Sequence, residues 1–289
     1  MILTYKIIIG DSRDNPLDDT SVDLIITSPP YANIKDYDHP HQIGFHPNYS
    51  DNVEKYTSLY LEDLNKVWKG CYRILKPDCR MVINIGDVYL SSKEFGRYRI
   101  LPIHANIITQ CCQIGFDYMG SIIWQKISTT NASGGVNACF MGSFPHPRNG
   151  IIPFDYEYLM IFKKIGKSPS VVDEIKSSSE LTKTEWIKYF KGHWKIKGDR
   201  QSKSSHIATF PLELPKRFIK MYSFMGDVVF DPFLGSGTTL LGAKETFRSC
   251  IGMELNKDYL PLIKKKTSFF QKRFHSDPLI EDEHYIIEI

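Results

Sequence analysis

One stretch narrows the possible folds more than any other. Asp227-Val228-Val229-Phe230 is a short apolar run of strand character that leads into Asp231-Pro232-Phe233-Leu234-Gly235-Ser236-Gly237. A helical segment follows over 238–247, then a second apolar run, Ser249-Cys250-Ile251-Gly252-Met253, which closes on Glu254. Strand, glycine turn, helix and strand make a βαβ unit, and such a unit needs a parallel sheet covered by helices. The glycines let the backbone approach a ligand. An acid about twenty residues beyond them stands where nucleoside-binding sheets hold ribose hydroxyls. The longer Gly-x-Gly-x-x-Gly pattern of dinucleotide enzymes is missing, because Thr238-Thr239-Leu240 follows Gly237. That weighs against a nicotinamide oxidoreductase.

A second junction lies some 200 residues earlier. The apolar run 22–26 enters Thr27-Ser28-Pro29-Pro30-Tyr31. The prolines end the strand, since neither can donate to a sheet ladder. A hydroxyl, free carbonyls and an aromatic ring therefore gather at a strand's C-terminal end, where open α/β sheets bind ligands. Alone, Pro-Pro-Tyr would be only a turn; the glycine unit gives it weight. Tyr5-Lys6-Ile7-Ile8-Ile9 is a further strand, ending at Gly10-Asp11-Ser12. More strands are expected over 80–87, 118–125 and 156–162, the last two as an antiparallel pair joined by a long loop. Helical spacing is expected over 53–75, 101–115, 209–221 and 258–274.

The net charge of +3 over 289 residues does not by itself announce nucleic acid. Its distribution is more telling: residues 163–203 hold eleven Lys or Arg against five Asp or Glu. There Trp186, Tyr189, Phe190 and Trp194 interleave with Lys188, Lys191, Lys195 and Lys197. A charged helix with an aromatic packing stripe would give this pattern. So would a surface that tracks phosphates and stacks on bases, and the concentration of charge favours that reading. The six cysteines show no Cys-x-x-Cys pair, which argues against zinc and for a reducing cytoplasm. No stretch is apolar enough to span a bilayer. The loop 32–50 carries His39, His41 and His46, but Pro40 and Pro47 make it irregular and no cysteine joins them, so no metal site is expected there. The loop 128–153 matches no pattern.

Together, Thr27-Ser28-Pro29-Pro30-Tyr31 and the later Asp231-Pro232-Phe233-x-Gly-x-Gly-Thr238-Thr239 resemble the S-adenosylmethionine-dependent DNA amino-methyltransferases. The order, catalytic motif before cofactor motif, is that of the β (permuted) class. The resemblance implies a seven-stranded, mostly parallel, Rossmann-like α/β sheet with one antiparallel strand. It implies a catalytic domain over 1–162 and 204–270, a target-recognition insert over 163–203, and a C-terminal tail over 271–289. S-adenosylmethionine would be held by Asp11, Phe210, Asp231, Pro232, Phe233, Gly235, Gly237, Thr238, Thr239 and Glu254, with Asp11 on the adenine amine and Glu254 on the ribose. Ser28, Pro29, Pro30 and Tyr31 would carry catalysis, and Lys188, Lys191, Lys195 and Lys197 would meet DNA. Partners would be duplex DNA with its target base flipped out and a cognate restriction endonuclease. A serine heading the catalytic motif is typical of cytosine N4 methylation in that family.

The chemistry fits the residues. The lone pair of an exocyclic amine is delocalised into its ring, so the amine attacks only when acceptors draw on its hydrogens and hold it in line with the methyl. The Ser28 hydroxyl and Pro29 carbonyl are the candidate acceptors. A base inside a duplex is out of reach and must flip. Adenine N6 methylation, an RNA or protein amide methyltransferase and a non-catalytic DNA-binding module remain as alternatives.

Overall fold

The computed structural model describes residues 1–32, 39–44, 51–127, 146, 148, 152, 155–198, 210–271 and 279–289. The apolar runs become strands β1 (Ile2–Ile9), β2 (Val22–Thr27), β3 (Leu75–Ile85), β6 (Phe116–Ile127), β7 (Tyr156–Lys164), β9 (Val228–Asp231) and β10 (Ser249–Glu254). A small hairpin, β4 (Val88–Leu90) and β5 (Arg99–Leu101), pairs antiparallel beside the sheet. Two more strands, β8 (His193–Lys197) and β11 (Asp282–Glu288), complete a nine-stranded sheet in the order β11-β1-β10-β9-β2-β3-β7-β6-β8. Every neighbouring pair runs parallel except those made by β7, which is antiparallel to both β3 and β6.

The sheet thus has nine strands where seven are expected. The additional two are its edges, and each comes from a segment whose charge hides a strand. β8 alternates buried Trp194 and Ile196 with exposed His193, Lys195 and Lys197. β11 mixes acids with isoleucines and pairs with β1 from Ile2 to Ile8. Edge strands carry charge because an uncharged free edge invites aggregation. The basic segment is therefore continuous with the main sheet through β8, and the tail is continuous with it through β11.

Helices cover both faces. On one side lie α1 (Val53–Ile74), α2 (Ser92–Phe95) and α3 (Ile103–Ile114). α1 starts where Asn52 accepts from the Lys55 amide, and it buries Tyr60, Leu64, Val67, Trp68 and Cys71 as one stripe. The basic segment contributes α4 (Asp173–Ser178) and α5 (Lys183–Tyr189). The other face is covered by α6 (Glu213–Tyr222), α7 (Thr238–Glu245) and α8 (Leu260–Thr267). Leu214, Phe218, Ile219, Leu240, Ala243 and Ile263 pack there against Leu24, Ile26 and Val82 of the sheet. All six residues of β2 are buried, as a central parallel strand covered on both faces requires. The helix expected over 258–274 is shorter, because the chain turns left-handed at Ser268 (φ 47°) and the helix ends at Thr267.

Candidate active site

β2 lies beside β9, with Leu24 opposite Val229 and Ile25 opposite Phe230, so the two motifs leave the sheet side by side. One buried carboxylate ties them together. Asp231 accepts from Thr27 Oγ1 at 2.7 Å, from Thr239 Oγ1 at 2.6 Å and from the Phe233 amide at 3.0 Å. Burial pushes its pKa up to about 6, against the pull of those three donors.

The glycine turn follows. The Leu234 amide donates to the Met253 carbonyl at 2.8 Å, anchoring the turn to β10. Gly237 stands at φ 82°, and a Cβ there would come within 3.0 Å of both Ile263 and Thr267. Only glycine satisfies both constraints. Glu254, buried at the end of β10, accepts from the amides of Gly235 (2.8 Å) and Asn256 (2.9 Å). Burial still dominates and raises its carboxyl to about 7. From β1, the Gly10 amide reaches the Glu254 carbonyl at 3.0 Å, which places Asp11 beside the same end of the sheet. Burial raises the Asp11 pKa, but the Arg13 guanidinium, bonded to both carboxylate oxygens, outweighs it and leaves a net downward shift.

These groups wall an open cleft of about 730 Å³, counting the space open to solvent. Asp11, Ser28, Pro30, Pro232, Phe233, Gly235 and Glu254 line it. Of the other residues named from the sequence, Asp231, Thr238 and Thr239 are buried in the framework of the turn. Thr238 Oγ1 accepts from Lys266 Nζ at 2.6 Å. Phe210 is partly buried against the core that α6 covers. Ser12, Asn256 and Tyr259 also line the cleft; the signal for them was only their place next to Asp11 and Glu254 in the chain.

The 28–31 turn is held from several sides. The Tyr60 hydroxyl of α1 donates to the Pro30 carbonyl at 2.9 Å, while none of the described residues donates to the Pro29 carbonyl. Asn84 Nδ2 reaches Ser28 Oγ at 3.5 Å and Glu157 Oε2 at 2.8 Å. The Gly86 amide donates to the Tyr31 hydroxyl at 3.2 Å. Asn84, Gly86 and Glu157 belong to no motif. A faint signal for Glu157 exists in the sequence: it is the one charge in the otherwise apolar and aromatic run 156–162.

The four lysines differ. Lys188 is paired with Glu213 at 3.1 Å, whereas Lys191, Lys195 and Lys197 are exposed. The aromatic residues divide as well. Trp194 is 2 % exposed and donates to the Tyr189 carbonyl at 3.0 Å, so both belong to the core. Trp186 is 58 % exposed and stacks on Phe190 at 4.4 Å. Among the described residues no group of three or more His, Cys, Asp or Glu side chains could hold a metal, and His46 and loop 128–145 lie outside them. Also among the described residues, no helix is long and apolar enough to cross a membrane.

A mostly parallel sheet with helices on both faces and an open cleft at the C-terminal ends of its central strands defines a Rossmann-like α/β protein. The chain belongs to the N6/N4 DNA methylase family, whose model matches residues 22–265. It is 36% identical over 298 residues to the type II methyltransferase M.MjaI of Methanocaldococcus jannaschii, covering 96% of this chain and 95% of that one. A candidate DNA modification methylase of Thermus thermophilus, solved with S-adenosyl-L-methionine, is 33% identical, with a TM-score of 0.71 over 91% of this chain and 95% of that chain. The cytosine-N4-specific PvuII DNA methyltransferase shares the fold, with a TM-score of 0.66 at 20% identity over 98% of this chain and 96% of that chain. The protein is thus a DNA methyltransferase.

Proposed function

We propose that the protein moves a methyl group from S-adenosylmethionine to the exocyclic N4 amine of cytosine in duplex DNA, as the modification partner of a restriction endonuclease in the cytoplasm. One observation carries the reading: the acceptor at the head of the turn, Ser28, is a neutral hydroxyl that lines the cleft and is tied to the cofactor turn through Thr27 and Asp231. A type II methyltransferase and a protein solved with this cofactor are both at least 30% identical to the chain, which supports it.

The cleft suits the cofactor. Glu254 offers a buried carboxylate to ribose hydroxyls, Asp11 a second carboxylate to an amine, and Phe233 an aromatic wall. When bound, S-adenosylmethionine supplies an electrophilic sulfonium methyl. The Ser28 hydroxyl and Pro29 carbonyl accept the hydrogens of the target amine, which draws its lone pair out of conjugation and orients it. Tyr31 offers its ring to a base flipped out of the helix. Lys191, Lys195 and Lys197 meet phosphates, and the exposed Trp186–Phe190 stack gives bases or sugars a surface.

The test is mass spectrometry of nucleosides from duplex DNA treated with the purified protein and labelled methyl donor. N4-methylcytosine is expected. N6-methyladenine alone would sink the base assignment and keep the methyltransferase. A companion variant, Ser28→Ala, should lower turnover by about a hundredfold while cofactor affinity stays within twofold, since the lost bond acts on the base alone.

A further inference from the structure

Beneath the 28–31 turn lies a small polar cluster that no motif contains. Glu157, 8 % exposed, stands in β7 opposite Trp124 of β6. Asn84, 6 % exposed, stands in β3 opposite Leu159. Asn84 Nδ2 donates to Glu157 Oε2 at 2.8 Å, and Lys126 Nζ is ion-paired with Glu157 Oε1. A buried carboxylate without partners would be strongly disfavoured; Lys126 and Asn84 make this one tenable.

The glycine between strand and turn explains how Tyr31 joins the cluster. A Cβ on Gly86 would meet Glu157 Cγ at 3.3 Å and Tyr31 Cε1 at 3.5 Å. The two side chains therefore converge over the face of Gly86, while the Gly86 amide holds the Tyr31 hydroxyl at 3.2 Å. Burial, then the neighbouring Glu157 charge, push the Tyr31 pKa well above the ordinary phenol value, so its proton stays on. The carboxylate also decides which way the Asn84 amide faces. Nitrogen turns to Glu157, and Oδ1 turns away to where no described residue donates to it. Both Glu157 oxygens have partners, Oε2 the Asn84 amide and Oε1 the Lys126 ammonium.

We propose that Glu157 is a positioning residue of the methyl-transfer site: paired with Lys126, it fixes the Tyr31 ring and the Asn84 amide, and through them the Ser28 hydroxyl. The proposal rests on the amino-methyltransferase reading above. It separates work between two sets of groups: Ser28, Pro29 and Tyr31 face the base, and Glu157 sets where they stand.

The experiment compares Glu157→Gln with the unaltered protein in single-turnover methyl transfer to duplex DNA. The glutamine keeps the volume, removes the charge opposite Lys126 and lets the Asn84 amide turn over. The rate should fall at least tenfold, with the S-adenosylmethionine Kd within twofold. In a Tyr31→Phe background the same substitution should cost less than in the unaltered protein, because only the route through Asn84 to Ser28 remains. An unchanged rate, or an equal cost in both backgrounds, overturns the proposal. A second readout does not depend on activity. Hydrogen exchange of the Gly86 amide should speed up at least tenfold in Glu157→Gln, and unaltered exchange overturns the proposal too. Methylation of no duplex by the unaltered protein would remove the amino-methyltransferase reading instead, and the Gly86 exchange would still decide the role of Glu157. If Glu157→Gln does not fold, Gly86→Ala wedges a methyl between the same two side chains and should give the same losses; full activity in that variant overturns the proposal.

Discussion

The two sides of the cleft, the one we propose for the cofactor and the one we propose for the target amine, are built in different ways. On the cofactor side, Asp231, Gly235, Gly237, Thr239 and Glu254 lie within one βαβ unit, and main-chain amides do much of the bonding. On the amine side, Ser28, Tyr31, Asn84, Gly86 and Glu157 come from β2, β3 and β7 and the turns that follow them, and side chains bond chiefly to side chains. A site made of consecutive backbone can be recognised from spacing, because the same local geometry always needs the same glycines and acids. A site made where strands from remote segments meet depends on topology, and its supporting residues are free to vary in sequence position and type.

Three measurements probe that contrast, taken from the largest effect to the smallest. Gly237→Ala should be the most costly. The left-handed backbone adds about 1–2 kcal/mol, and a methyl 3.0 Å from Ile263 and Thr267 adds about 1–3 kcal/mol of overpacking. Urea unfolding should show the sum; a loss under about 1 kcal/mol would mean that the turn relaxes and that the cofactor side is less rigid than described.

Next comes Glu254. Replacing it with alanine should weaken S-adenosylmethionine binding ten- to hundredfold by calorimetry, since hydrogen bonds to a carboxylate are worth about 1.5–3 kcal/mol. Its pH dependence has a definite sign. Folding raises the carboxyl from 4.5 to about 7, so its contribution to stability is full below 4.5 and is lost as pH rises through 7. Ribose hydroxyls favour the ionised form instead, so cofactor affinity should rise between pH 6 and 8, with a proton released on binding. Glu254→Gln should flatten that rise; a slope that persists in the variant would assign it to another group.

The basic edge should give the smallest effects. Lys195→Ala or Lys197→Ala should each lower the salt slope of DNA binding by about 1 and leave cofactor affinity untouched. Lys188→Ala should move it less, because Glu213 already holds that ammonium. Equal slopes for all variants would place the DNA elsewhere.

Seven strands were legible because strands inside a sheet covered on both faces must be largely apolar runs, and such runs survive any surface decoration. β8 and β11 were not, because an edge strand shows its charged face to water and reads like a loop. The aromatic residues of the basic segment needed the register to sort them: the alternation along β8 sends Trp194 inward, while Trp186 on α5 stays out. Asp231, Gly235 and Glu254 were legible from spacing. Glu157 left only the faint mark of a lone charge in its strand and Asn84 left none, because each bonds to a partner more than seventy residues away on another strand.

The position of β1 in the sheet also has a consequence in time. Its two partners, β10 and β11, begin at Ser249 and Asp282, so a ribosome makes β1 long before either of them. Until then Leu3, Tyr5 and Ile7, all fully buried in the finished fold, have no sheet to join. A nascent chain must carry this apolar segment with both edges unpaired until β10 and β11 have been made, a condition that favours chaperone capture and slow, late closure of the cleft.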